Sequence, residues 1–222
     1  MMTAREQILQ AVRDASRRQE SAGDNVALEA GRLLEGIESC RPALPSVDVV
    51  GSFMARAAGP KVGASIDRIA SLSLLPSAVG RYLAGRSKSA EIVLQPTAPL
   101  LGLDWSGAGV SRGENVDDGI AVGLARWGIA ETGSVVFHSS RDTPILQAFL
   151  CALHIVAVPA RGIVAHLDDY ALAARYAGDP APRNACLITG ASGTTDIEGS
   201  LVKGAHGPRE LHIIVVDNGI PS

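Results

Sequence analysis

Aromatic side chains are scarce. Phe, Tyr and Trp make up 4% of the 222 residues, so the core must be aliphatic, and a surface of stacking aromatics for single-stranded nucleic acid is excluded. Cysteine is nearly absent too. Cys40, Cys151 and Cys186 are scattered with no CxxC pair, which excludes a cysteine framework for zinc or an iron–sulfur cluster in this chain and suits a reducing compartment. No long run of one charge sign occurs. The 20 basic and 23 acidic residues leave a net charge of −3, without the basic patch that non-specific phosphate-backbone binding needs, so nucleic acid is not an expected partner. The N-terminus lacks the apolar core of a secretory signal. The most apolar stretch, Phe149–Ala160, is too short to span a bilayer and contains His154 and Pro159. A cytoplasmic protein without a membrane span is expected. HExxH and GxSxG are missing, which argues against a zinc protease and a hydrolase triad.

What is present points to alternating α and β elements. Ile8, Leu9 and Val12 follow Thr3, a candidate N-cap, at helical spacing and predict a first helix over 3–18. Residues 19–47 are rich in Gly, Ser, Glu and Pro and read as a loosely packed connection, with a short helix around Leu28–Ile37. Asp48–Ala58 reads as a helix capped by Asp48 and stopped at Gly59-Pro60. Lys61–Ile66 reads as a short strand, with Asp67 opening a helix. The run SLLPSAVGRYLAG reads as a turn and a helix that stops at Gly85. Glu91–Gln95, His154–Val158, Ala185–Thr189 and Leu211–Val216 are short apolar runs that read as strands. Ile120–Arg126 and Ser134–His138 read as two strands joined by Gly128–Gly133. Thr143-Pro144 predicts a helix running through Ile145–Cys151, and Ile163–Tyr176 predicts another. Continuous apolar strands separated by helices predict an α/β fold with a mainly parallel sheet covered on both faces. The length suits a single α/β domain over 1–222, with an N-terminal helical extension at about 1–47.

Three segments carry candidate chemistry. In the first, Gly128–Ser134, flanking glycines permit close ligand approach, so Thr132 and Gly133 are candidate ligand contacts. Glu131 stands at the bend, where a carboxylate can act as base or nucleophile, or can merely cap backbone amides in a tight turn. The second, Ile188–Glu198, follows a strand and looks set to open a helix at the carboxyl end of that strand, where α/β sheets usually bind ligands. Gly190, Ser192, Gly193, Thr194, Thr195 and Asp196 could hold a phosphate or carboxylate against the helix N-terminus. The competing reading is a glycine-rich connection with Thr195 or Asp196 as helix cap. The segment matches neither GxGxxG nor the P-loop. The third, Lys203–Pro208, places a cation, Gly204 and the imidazole of His206 near the second. Lys203 is a candidate anion partner, and His206 a candidate proton exchanger near neutral pH. Asp196, Glu198, His206 and His212 follow no metal-ligand spacing, so no metal site is expected.

GIAETGS at 128–134, LITGASGTTDIEGSLVKGAHGP at 187–208 and the following LHIIVVD together resemble the LUD-domain family, in its lactate utilisation protein C (LutC/YkgG) branch. The resemblance covers roughly residues 48–217. It implies a Rossmann-like α/β sandwich similar to the NagB/RpiA/CoA-transferase-like fold. It also implies participation in oxidising L-lactate to pyruvate, alongside iron–sulfur subunits of a lactate-oxidising complex. Within that likeness Glu131 resembles the glutamate of CoA transferases, a fold-level analogy only. Three readings stay open: a lactate-utilisation component binding a small anionic molecule, a stand-alone enzyme on a CoA ester, sugar phosphate or folate using Glu131, and a non-catalytic regulatory or scaffold protein. The resident cofactor, if any, is unknown, and a homo-oligomer is left open.

Overall fold

The structure, a computed structural model, describes residues 3–86, 90–176, 182–195 and 201–220. The chain divides into two compact units, Met1–Pro42 and Ala43–Ser222.

The first unit holds α1 (Ala4–Glu35) and α2 (Ile37–Cys40). A reciprocal cap starts α1: the Thr3 N–H donates to Glu6 Oε2 at 2.7 Å, and the Glu6 N–H donates to Thr3 Oγ1 at 3.3 Å. The helix continues through the stretch expected to be a connection. Residues 16–35 hold no proline and many Ala, Glu, Arg and Leu, whose high helix propensity tolerates the isolated Gly23 and Gly31.

The second unit is built on a six-stranded sheet, in the order β1-β12-β7-β4-β2-β3, with every pair parallel. Its strands are β1 (Ser65–Ser71), β2 (Ala90–Leu94), β3 (Val110–Arg112), β4 (Ile120–Leu124), β7 (Leu153–Pro159) and β12 (Glu210–Asn218). A second, four-stranded sheet has the order β8-β5-β6-β9, from β5 (Trp127–Ile129), β6 (Ser134–His138), β8 (Ile163–Val164) and β9 (Ala185–Ile188). A ribbon of β10 (Gly193–Thr195) and β11 (Leu201–Lys203) completes the strands. The helices are α3 (Val49–Ala58), α4 (Leu75–Ala84), α5 (Ala98–Leu101), α6 (Gln147–Leu150) and α7 (Leu167–Tyr176).

The alternation along the central strands sorts the core into layers. Ile155, Ala157, Ile214 and Val216 pack with Leu75, Val79 and Leu83 of α4. Val156, Val158, Ile213 and Val215 pack with Val135 and Phe137 of the second sheet and Phe53 of α3. Val136, Trp127 and Ile129, on that sheet's outer face, pack with Tyr170 of α7. β7 is buried along its whole length, as a strand covered on both faces must be.

Several elements depart from the sequence expectation. Asp67 lies inside β1 instead of opening a helix. The helix after Thr143-Pro144 is confined to Gln147–Leu150. Ile163–Val164 is a strand, and the helix starts at Leu167. The hairpin pairs β5, not β4, with β6. The chain changes sheets at Ala125-Arg126: the Ala125 N–H still donates to Ala157 O of β7, whereas the Arg126 N–H donates to Val136 O of β6.

Candidate functional site

The first glycine segment is the β5–β6 turn. The Gly133 N–H closes it on Ile129 O at 2.8 Å, with Gly133 at φ 71°. A Cβ there would lie 2.8 Å from Ala57 N, so the turn can press against α3 only as glycine. The turn delivers Glu131 to the start of α7. Its Oε1 accepts the Leu167 N–H at 3.0 Å and its Oε2 accepts from His166 Nδ1 at 2.8 Å. Both side chains are 13% exposed. The carboxylate therefore satisfies an otherwise orphaned helix N–H and sits at the positive end of the helix dipole. With Nδ1–H donated, His166 keeps Nε2 for exchange with another group. The arrangement serves as a helix anchor and has the composition of an acid–base pair.

Hydroxyls tie this turn to the second segment. Thr132 Oγ1 lies 2.7 Å from Ser134 Oγ, which lies 2.6 Å from Thr189 Oγ1. β6 and β9 are paired there, with Val135 opposite Ile188. The strand before the second segment is thus an antiparallel edge of the smaller sheet, not a member of the parallel one. Nor do the described residues of the segment open a helix. Gly193, Thr194 and Thr195 form β10 and pair with β11, as the β-branched threonines favour. Asp196 and Glu198 lie outside the described residues. Gly190 has φ 87°, and a Cβ on it would collide with the Val62 carbonyl oxygen. The loop is thereby held against the turn that carries Lys61. The Ser192 N–H donates to Pro208 O at 2.7 Å, and the Gly204 N–H to Ser192 O at 3.0 Å.

This loop forms one wall of a cavity of about 650 Å³ at the amino ends of β1 and β12. Ser192, Gly193 and Lys203 line it together with Lys61, Ser65, Arg86, Arg209 and Glu210. Arg86 is bound to Glu210 at 2.5 Å, and its guanidinium lies 4.4 Å from the Tyr82 ring centroid. Arg209 pairs with Asp118 at 3.0 Å on the open surface. Among the described residues neither Lys61 nor Lys203 has a carboxylate partner. Such walls attract an anion.

Gly204 and His206 line a neighbouring cavity of about 340 Å³ with Asp118, Cys151 and Arg209. Burial pushes the Cys151 thiol up to about 12, so it stays protonated and unreactive there. Arg209 borders both cavities. Glu131, Thr132, Gly133 and Thr194 line neither. The fold thus joins Ser134 to Thr189, and the 191–193 loop to Lys203, but keeps the Glu131–His166 pair apart from both cavities. Among the described residues no group of three His, Cys, Asp or Glu side chains could hold a metal ion.

Sequence reasoning missed Lys61, Ser65, Arg86 and Arg209, which approach from three separate parts of the chain. It also missed His166. The HLDD run at the start of α7 carried a signal, since the Asp169 carboxylate accepts the His166 N–H at 3.1 Å, as in a capping box.

A LUD domain family model matches residues 115–216. An uncharacterised protein of Neisseria meningitidis serogroup B is 30% identical over 102 residues, 46% of this chain and 43% of that protein. Lactate utilization protein C of Bacillus licheniformis is 30% identical over 122 residues, 52% of this chain and 50% of the relative. Lactate utilization protein C of Anoxybacillus flavithermus is 34% identical over 90 residues, 40% of each. The matches span half or less of the length of these curated relatives. A crystal structure of a DUF162 family protein from Deinococcus radiodurans superposes with a TM-score of 0.51 at 22% identity, covering 78% of this chain and 99% of that one, which shows a shared fold. The stretch matched by the LUD domain model, residues 115–216, holds Glu131, Ser192 and Lys203.

Proposed function

We propose that this chain is a component of an L-lactate utilisation system, acting in the cytoplasm with iron–sulfur partner proteins in the oxidation of L-lactate to pyruvate. It receives a small anionic molecule in the cation-lined cavity. The observation that carries this reading is the meeting of the 191–193 loop, Lys203 and Arg209 on one cavity, within a stretch of the LUD family whose relatives include proteins named lactate utilization protein C. The iron–sulfur chemistry is assigned to the partners, because the sequence holds no cysteine pair spaced to bind a cluster. Deleting the gene should abolish growth on L-lactate as sole carbon source, and the intact chain should restore it. Undiminished growth of a deletion strain without another lactate oxidase would overturn the reading. Affinity capture from lactate-grown cells should recover an iron-containing partner.

A second reading, a stand-alone enzyme on a CoA ester, sugar phosphate or folate, is supported by the 2.8 Å contact between Glu131 and His166. Under it Glu131 acts as base or nucleophile and His166 as its proton partner. Replacing the carboxylate in Glu131→Gln then abolishes turnover while the fold persists.

A further inference from the structure

We infer that the cavity at the amino ends of β1 and β12 holds a phosphorylated small molecule with at least two negative charges, gripped by Lys61, Lys203 and Arg209 and contacted by the Ser65 hydroxyl. This rests on the reading of that cavity as an anion site and goes beyond it in naming the ligand class.

The charge of the walls carries the inference. In a chain of net charge −3, this one cavity gathers four cations and a single lining carboxylate. That carboxylate, Glu210, is already bound to Arg86. Arg209 has an exposed partner in Asp118, and a surface pair of this kind holds weakly. Lys61 and Lys203 have none among the described residues. Three positive groups therefore face one space with little to balance them. A lone carboxylate, as on a three-carbon hydroxy acid, offsets one of them. A phosphate ester carries about −1.5 to −2 at neutral pH and offers three acceptor oxygens, and a pyrophosphate carries more. Size agrees: about 650 Å³ falls within the range of pockets that hold cofactor-sized ligands, far more than a three-carbon acid fills.

The walls are also organised in advance. Lys203 is paired across the ribbon with Gly193, and the loop before it is locked to the Lys61 turn at Gly190. Ser65 Oγ lies 2.8 Å from His212 Nδ1 and 3.1 Å from the Tyr82 hydroxyl. His212 is buried and stacked on Tyr82 with the ring centroids 3.7 Å apart, and Arg86 lies over the same ring. His212 thus positions the serine hydroxyl at the cavity wall. The site stands at the amino edge of the parallel sheet, opposite the carboxyl edge where open α/β sheets usually bind ligands.

The test uses the full chain and titration calorimetry with inorganic pyrophosphate, inorganic phosphate and L-lactate at low and high salt. Pyrophosphate should bind more tightly than phosphate, weaken with added salt, and not be displaced by excess L-lactate. Lys61→Ala and Lys203→Ala should each weaken pyrophosphate about tenfold or more. Circular dichroism checks that each variant is folded. No binding of pyrophosphate by the intact chain, equal binding by a folded Lys61→Ala/Lys203→Ala chain, or displacement by L-lactate would overturn the inference. Growth on L-lactate is scored separately. Its loss on gene deletion upholds the lactate-utilisation reading even when pyrophosphate does not bind.

Discussion

His154 and His212 are 2% and 3% exposed, and His154 Nδ1 and His212 Nε2 have no hydrogen-bond partner among the described residues. Burial holds both imidazoles neutral, with their pKa values pushed down to about 4; at His212 the nearby Asp67 opposes the shift. In the unfolded chain both titrate near the ordinary value of about 6.5. Below that pH the unfolded chain takes up protons that the folded one refuses. Stability is therefore fully present above about 6.5 and is lost as the pH falls toward 4, by about 1.4 kcal/mol per pH unit for each histidine. Urea unfolding at pH 7.5, 6.5, 5.5 and 5.0 should show the midpoint falling across the last three. A midpoint that stays level over that range would contradict the burial of neutral imidazoles. Glu131 makes a second prediction at this scale. Glu131→Ala leaves the Leu167 N–H and His166 Nδ1 without their acceptor and should cost about 1–3 kcal/mol in chemical denaturation. Glu131→Gln should cost less, because its amide oxygen still accepts the helix N–H.

Single elements show how far local pattern reaches. Asp48 was legible as a cap: its carboxylate accepts the Val50 N–H at 3.1 Å, and α3 begins where the sequence places it. Asp48→Ala should cost about 1 kcal/mol, read as a shift in the denaturant midpoint. Gly133 and Gly190 are constrained by what packs on them. Gly133→Ala should destabilise by about 1–3 kcal/mol from positive φ alone, and more from the approach to α3. A Gly133→Ala chain as stable as the parent would show that the turn does not press on α3. Where a helix was expected after Thr189, the described residues Gly193–Thr195 form a strand. Glycine and small polar residues are compatible with a cap, a turn or a ribbon, and the choice fell to the pairing of Gly193 with Lys203, ten residues on. The apolar run from Ile120 to Ile129 gave no sign of its division between two sheets, since each half is buried and periodicity reads burial only.

Across the whole molecule, all three buried clusters lie within Ala43–Ser222. A chain of residues 43–222 should therefore unfold in one cooperative transition, and a broad, gradual melt by circular dichroism would contradict this. Among the described residues no helix is long and apolar enough to cross a membrane. Strand identity, the α/β class and the mainly parallel sheet were legible, because β-branched apolar runs such as HIVAV and LHIIVV can be buried in few other ways. The glycine segments stood out because they break those runs. The partners of each segment were not legible. Glu131 meets His166, and Lys203 shares a cavity with Lys61 and Arg86, through strand order and sheet switching, which depend on contacts between residues far apart in the chain. Periodicity records what a residue's immediate neighbours do to the backbone. Which distant side chain comes to face it is decided by the packing of layers, and only the tertiary structure sets that.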